Sequence, residues 1–380
     1  AKHRCFDWNI LMGQMHRYLG LFFLLATAFG QTSGVTWMAV PDTRVEIDGL
    51  PWLSENRGEL FRLPLRLKDN LPKAVWSLGE SPSGGRIRFR TDSNKLLIRL
   101  EYPRAPGMRN MHAFGQTGVD LYLDGVYRGT AIATPEAKTG VPLEHTYFDF
   151  EDRPRVEREV TLYLPLYMPV KVLGIGVDGK AGFSVPRPFA LPKPVVFYGT
   201  SITQGGCASR SGLSYQAILG RMLNLDFVNL GFSGNGKGEP EVARMVAEID
   251  ASCFVLDFAQ NNGSVKSLAA VYEPFIGALR EKHPQVPILA VTPISNAREA
   301  LTRDSRNEGM RRHIRQVVSR RIAQGDTNLQ LMEGTDLLGP DRLDGLVDGI
   351  HPNDLGFQWM AEGFAARLGK LLGLASASNR

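Results

Sequence analysis

Four prolines within eleven residues, "SVPRPFALPKP" at 184–194, cut this chain into two parts that follow different periodicities. No regular element tolerates that density, because each proline removes a backbone donor and restricts the residue before it. Ahead of the break, from about Val35 to Pro186, short alternating runs dominate: "RIRFRT" (86–91), "KLLIRLEY" (95–102), "VDLYLDG" (119–125), "HTYFDF" (145–150) and "REVTLYLPLY" (158–167). Gly, Pro, Asn and Asp turns separate them, and no long helical pattern intervenes. Period-two runs spaced this way predict an antiparallel, jelly-roll-like β-sandwich over 35–186. Beyond the break, strand and helix patterns alternate. Strands are expected at Val195–Tyr198, Phe227–Leu230, Phe254–Phe258, Ile288–Val291 and Leu329–Met332, with helices between them and a last one at Leu355–Leu372. Five such units imply a parallel sheet covered on both faces, a three-layer α/β/α domain over 193–374. Right-handed crossovers then gather every post-strand loop on one rim.

Of the 380 residues, 43% are hydrophobic and 22% charged, a balance that favours folded domains over disorder. The formal charge is +5, of which Lys2, Arg4 and Arg17 against Asp7 supply +2 within the first thirty residues. The remainder is too small an excess to imply a nucleic-acid partner. Residues 1–30 look like an export leader: His16 and Arg17 precede an apolar run, Tyr18 to Phe29, and Ala28-Phe29-Gly30 offers small residues for cleavage. Residues 1–14 then form an odd upstream extension, with Met15 an alternative start. The run is short for a membrane span, and no cysteine follows it to carry a lipid, so an exported protein without a stable membrane anchor is expected. Cys5 belongs to the leader. Cys207 and Cys253 are expected on opposite rims of the sheet, too far apart to pair. No C-x-x-C, H-E-x-x-H or EF-hand loop occurs, so no metal or other cofactor is expected.

The first strand of the second half ends in "PVVFYGTSITQGG" (194–206), with Ser201 where open α/β sheets hold their ligands. Gly, Thr and Ser are also ordinary turn and cap residues, so the remaining loops must supply a base, an orienting acid and oxyanion donors. Among seven histidines, His3 and His16 belong to the leader and its extension, and His112 and His145 to the β domain. His283 is expected to sit solvated at a helix C-terminus, and His313 lies in "RRHIRQ". Only His351 occupies a loop, "VDGIHPNDLG" (347–356), directly before a helix. Pro352 keeps His351 out of the α region, so Asp348 can reach the ring's Nδ1 and leave Nε2 free to take a proton from a hydroxyl. Asn353 or Asp354 can cap the helix that follows. In "GFSGNGKGEP" (231–240), Gly234 can aim its N–H at the rim. In "AQNNG" (259–263), Asn261 or Asn262 can donate a side-chain N–H, and with the Ser201 N–H these make an oxyanion hole.

Ser201 in "GTSIT", Gly234 in "NLGFSGNG", Asn261 in "DFAQNN" and His351 in "DGIHPN" together resemble the four blocks of the SGNH (GDSL-type) hydrolase superfamily. "TGVDLY" (117–122), with "YGTSITQGGCASRSG" (198–212), resembles the subgroup that carries an N-terminal β domain with a G-x-D-L-Y signature. The resemblance covers about residues 50–373 and implies an esterase with nucleophile Ser201, base His351, orienting acid Asp348, and oxyanion donors Ser201, Gly234 and Asn261. Thr200 departs from the aspartate of the GDSL motif. Gln260-Asn261-Asn262 replaces the usual Gly-x-Asn-Asp, leaving Asn261 and Asn262 as alternatives, with spacing from the strand end favouring Asn261. An appended β domain favours O-acetyl groups of polysaccharides as substrate, with lipase or thioesterase action as the alternative. Gly205, Gly206 and Arg210 either shape the acyl pocket or pack the first helix.

Three rival readings lose ground. "GFSGNGKG" nearly fits a phosphate-binding loop, but Gly238 stands where a hydroxyl must hold magnesium, and Ser201 and His351 would have no role. A non-catalytic carbohydrate-binding protein would have no need of the complete catalytic set. The basic run 303–321 carries the stripe Met310, Ile314, Val317 and Val318, so it reads as a surface helix with most arginines solvated.

Overall fold

The computed structural model describes residues 34–133, 138–151, 153–302 and 305–374, so the segment read as a leader lies outside the described residues. Ten strands belong to the first half: β1 (Val35–Met38), β2 (Glu46–Asp48), β3 (Arg86–Thr91), β4 (Lys95–Glu101), β5 (Val119–Leu123), β6 (Val126–Ala131), β7 (Leu143–Asp149), β8 (Arg158–Tyr163), β9 (Lys171–Asp178) and β10 (Phe183–Ser184). They form two sheets, ordered β1-β9-β4-β7 and β10-β3-β8-β5-β6, with β2 paired to β3. Alternation along the strands builds the core. Ile87, Phe89, Leu121 and Leu162 of one sheet meet Leu96, Ile98, Leu100 and Ile175 of the other. Fully burying each such side chain contributes about 1.5–3 kcal/mol.

Two of the three intervening arginines of β3, Arg86 and Arg88, are not solvated as their alternation suggests. Arg86 is 2% exposed, and its guanidinium lies 4.0 Å from the Phe227 ring centroid and pairs with Asp226. Arg88 is 4% exposed and lies 3.7 Å over Phe189. The outer face of this sheet is therefore an interface with the second half of the chain. Between β2 and β3 the chain leaves the sandwich, and Trp52, Leu63, Leu71, Val75 and Trp76 join the core of the α/β domain.

The second half has five parallel strands, β11 (Val195–Gly199), β12 (Phe227–Gly231), β13 (Cys253–Asp257), β14 (Ile288–Val291) and β15 (Leu329–Met332), ordered β12-β11-β13-β14-β15. Phe258, expected to close its strand, starts the turn after β13 instead. The strands are buried on both faces, and successive residues feed different layers. Val196, Tyr198, Val228, Leu230 and Phe254 pack with helices Pro240–Val246, Val265–Lys282 and Arg306–Ala323. Val195, Phe197, Phe227 and Val255 pack with helices Tyr215–Leu223 and Asp354–Leu371. The chain passes from β11 to β12 on one side and to β13 on the other, so the order reverses at β11, where such sheets open a crevice.

β12 is an edge strand, and an edge leaves one row of backbone groups without strand partners. Two buried arginines from the first half fill that row. Arg86 Nη1 donates to Phe227 O at 3.1 Å, while Arg62 Nη1 donates to Asn229 O at 3.0 Å and Gly231 O at 2.7 Å. Arg62 also donates to Ser81 O and Leu78 O, and is 0% exposed.

One expectation about the helices meets an exception and another needs correction. Met310, Ile314, Val317 and Val318 do form a buried stripe, but Arg311 on the same helix is only 4% exposed. It is drawn inward by Pro293 O at 2.9 Å and Ile294 O at 3.0 Å in the loop after β14, and by Glu299 at 2.7 Å in the short helix Ala297–Thr302. His283 is half-buried where a solvated ring is expected. Its Nε2 meets Ala247 O at 2.8 Å and its ring packs on Phe254, because the helix C-terminus abuts the sheet. Among the described residues no helix is long and apolar enough to cross a membrane.

Candidate active site

β11 ends at Gly199, and Thr200 turns the chain into the four-residue helix Ser201–Gln204. Thr200 accepts the Ile202 N–H on Oγ1 at 3.2 Å, which explains how a threonine serves in the position where the resemblance expects aspartate. Gly205 then closes the helix at φ +98°, a left-handed conformation that glycine adopts freely. As its first residue, Ser201 keeps an N–H with no intrahelical acceptor.

The loop after β15 supplies the partner. Asp348 Oδ1 accepts the N–H groups of Ile350 at 3.1 Å and His351 at 2.8 Å, folding the segment back on itself. Its Oδ2 lies 2.8 Å from His351 Nδ1, and His351 Nε2 lies 2.9 Å from Ser201 Oγ. Hydroxyl, imidazole and carboxylate thus stand in one line of hydrogen bonds. Burial works to raise the Asp348 pKa, but hydrogen bonds from the His351 backbone and ring and from Asn110 outweigh it and hold the carboxyl at about 2. A carboxylate ionised at neutral pH fixes a proton on Nδ1 and leaves Nε2 as acceptor. Asn353 caps the following helix by accepting the Gly356 N–H at 3.1 Å.

Three other loops complete the rim. Gly234 has φ +68°, and among the described residues its N–H meets no protein acceptor. The loop that carries it is pinned from both sides. The helix Ser201–Gln204 holds Ser233 N–H through Gln204 Oε1 at 3.0 Å, and Asn261 Nδ2 donates to Phe232 O at 3.1 Å and Gly236 O at 3.3 Å. Asn261 lines the same cleft as Ser201, Gly234 and His351, whereas Asn262 is buried beside it with Nδ2 3.4 Å from Lys237 O. The cleft has a volume of about 340 Å³, and its wall sets Arg298, Arg306, Asn296 and Asn307 beside apolar Ile202, Ile294 and Ile350. A larger cleft of about 600 Å³, bordered by Arg187, Arg221 and Glu159, shares no residue with it.

The first half touches the site at Asn110 and grips the segment after Ser201 through Asp120, contacts that no spacing in the sequence signals. Asn110 Nδ2 donates to Asp348 Oδ2 at 3.2 Å. The aspartate of the G-x-D-L-Y run, Asp120, is fully buried and accepts Arg210 Nη1 at 3.0 Å and Gly212 N–H at 2.8 Å, while Arg210 also reaches the Tyr122 hydroxyl at 2.8 Å. Arg210 thus clasps the two halves together and does not line the cleft. Gly206 packs against the helix Ser201–Gln204, since a Cβ there would come within 2.9 Å of Ser201 O. Cys207 and Cys253 are both free and buried. Burial, reinforced by the Asp348 charge, pushes the Cys207 thiol up to about 12, so it is no thiolate nucleophile at neutral pH.

Residues 192–368 match the model of the GDSL-like lipase/acylhydrolase family, and residues 35–183 match that of the GxDLY domain found at the N-terminus of SGNH-hydrolase-type esterases. A protein from Bacteroides ovatus described as a GDSL-like lipase is 32% identical, with 90% of this chain and 99% of that chain covered at a TM-score of 0.80. A salicylyl-acyltransferase from a tetracycline biosynthetic pathway is 21% identical, covering 90% and 98% at a TM-score of 0.75. A family two carbohydrate esterase from Cellvibrio japonicus shares the fold at 12% identity, covering 89% and 98% at a TM-score of 0.62. A comparison with curated protein sequences gives no match. With its two domain matches and its close likeness to the B. ovatus protein, the chain belongs to the GDSL-like lipase/acylhydrolase family of SGNH-type hydrolases and is an ester-hydrolysing enzyme.

Proposed function

We propose that the protein is an exported serine esterase that removes O-acetyl groups from polysaccharides through Ser201, His351 and Asp348, with Ser201, Gly234 and Asn261 as oxyanion donors. The observation that carries the reading is the continuous relay from Ser201 Oγ to His351 at 2.9 Å and on to Asp348 at 2.8 Å, opening into a cleft flanked by two unengaged backbone N–H groups. His351 Nε2 takes the hydroxyl proton as Ser201 Oγ attacks the ester carbonyl. The oxyanion that forms is received by the N–H groups of Ser201 and Gly234. Asn261 adds a third donor when one of its N–H bonds turns from Gly236 O toward the anion, exchanging a 3.3 Å contact for a charge-assisted bond. The imidazolium then protonates the departing alcohol, and water activated by the same nitrogen releases the acid from the acyl-enzyme.

A cleft of about 340 Å³, with Ile202, Ile294 and Ile350 beside amide and guanidinium groups, has room for a short acyl chain on a polar alcohol. The fold shared with a carbohydrate esterase over 98% of that chain fits the same substrate class. The test is to incubate the protein with acetylated polysaccharides beside long-chain lipid esters and identify the released acid. Acetate from the polysaccharide supports the proposal; preferential release of fatty acid would replace it with a lipase reading.

A further inference from the structure

Among the described residues, one cluster of His, Cys, Asp and Glu side chains offers three ligand atoms of different kinds at a single point: Cys207, Asp348 and His351, with all three atoms within 4.8 Å of one another. We propose that these three side chains form an inhibitory binding site for a thiophilic divalent cation such as zinc or cadmium. The proposal rests on the reading of His351 as the catalytic base.

The donor set is one sulfur, one imidazole nitrogen and one carboxylate oxygen, the mixture that zinc accepts in tetrahedral sites with a water as fourth ligand. Metal–ligand bonds of about 2.0–2.3 Å separate neighbouring ligands by about 3.3–3.7 Å. The cluster therefore closes onto an ion by side-chain movements of about 1 Å or less. Its backbone frame is already tied, because Asp354 Oδ1 accepts the Ser209 N–H at 2.8 Å and so fastens the Cys207 loop to the helix that follows His351. Asp348, with a side chain 33% exposed, and half-buried His351 give the ion a way in from solvent. Cys207 also holds φ +74°, a left-handed conformation in which glycine would be the relaxed choice, so the thiol is kept where the backbone does not favour a side chain.

Binding would stop the reaction whichever ring nitrogen is used. An ion on Nε2 occupies the lone pair that takes the serine proton. An ion on Nδ1 displaces the ring's single proton, which moves to Nε2, so that nitrogen has no lone pair to offer the serine. In either case the thiol proton is released to solvent as the metal–sulfur bond forms, with no change in oxidation state.

The experiment has two arms. In the first, hydrolysis of an activated acetyl ester is titrated with zinc and with cadmium in wild type, Cys207→Ser and Cys207→Gly. The expected result is reversible inhibition of wild type, relieved by chelator, with an inhibition constant raised by about tenfold or more in both variants while activity without metal persists. Equal inhibition of wild type and both variants, or no inhibition of wild type, overturns the proposal. In the second arm, Co²⁺ is added to the Ser201→Ala protein, and a sulfur-to-metal charge-transfer band that disappears on adding Cys207→Ser is expected. Absence of that band also overturns the proposal. The band is read without catalysis, so a failure of the metal site is distinguishable from a failure of the triad.

Discussion

Replacing Arg62 with methionine tests how the first half of the chain sustains the site. The methionine keeps most of the buried volume but withdraws the guanidinium donors from Asn229 O, Gly231 O and Ser81 O, and one of the donors to Leu78 O. Each buried carbonyl left without a partner costs about 1–3 kcal/mol, against which stands relief from burying a guanidinium. That relief is substantial, since burial alone pulls the Arg62 pKa down to about 9. The carbonyls left without partners outweigh that relief, and the net loss expected is about 2–4 kcal/mol. Urea unfolding should show it as a lower midpoint with an unchanged slope. Gly231 lies three residues before Gly234, so the folded variant should also lose turnover on an activated acetyl ester more than it loses substrate affinity. Arg62→Lys should rescue little, because one ammonium cannot span four carbonyls. A stability within about 1 kcal/mol of wild type would refute the claim that Arg62 completes the open edge of β12.

The two asparagines should separate cleanly in kinetics: Asn261→Ala is expected to lower kcat on the order of 100-fold, and Asn262→Ala only a few-fold, in steady-state assays of an acetyl ester. Equal losses would leave the assignment of Asn261 without support. Asp257, fully buried at the end of β13, has its pKa raised to about 7 by desolvation, opposed only by a hydrogen bond from Gln260. A carboxyl raised this way is favoured protonated in the fold, so its contribution is fully present below the ordinary carboxylate range and is lost as pH climbs toward 7. Asp257→Asn should therefore raise the melting temperature at pH 8 and leave it nearly unchanged at pH 4; an equal shift at both would contradict the raised pKa.

The parallel half of this fold was legible because its strands are buried on both faces and read as short continuous apolar runs. All five strands fall at or within one residue of the expected bounds. Asp348 and His351 were legible for a local reason, since three residues and a following proline confine them to one turn. Contacts that join distant segments left no such trace. Nothing in "GELFRLPLRL" distinguishes Arg62 from a surface arginine, and Arg86 alternates along β3 as a solvent-facing residue would. Asn110 meets Asp348 across 238 positions, and the Cys207 cluster joins loops far apart in sequence, where spacing motifs have nothing to register. G-x-D-L-Y was visible as a signature, but its physical role as a clamp on Arg210 and Gly212 emerges only from the packed halves.

Covalent labelling with a fluorophosphonate, followed by peptide mass mapping, tests the nucleophile most directly. Modification should fall on Ser201 in wild type, be lost in Ser201→Ala, and slow sharply in His351→Ala while both variants stay folded by circular dichroism. Labelling of another serine at the wild-type rate, with ester hydrolysis persisting in Ser201→Ala, would contradict the account.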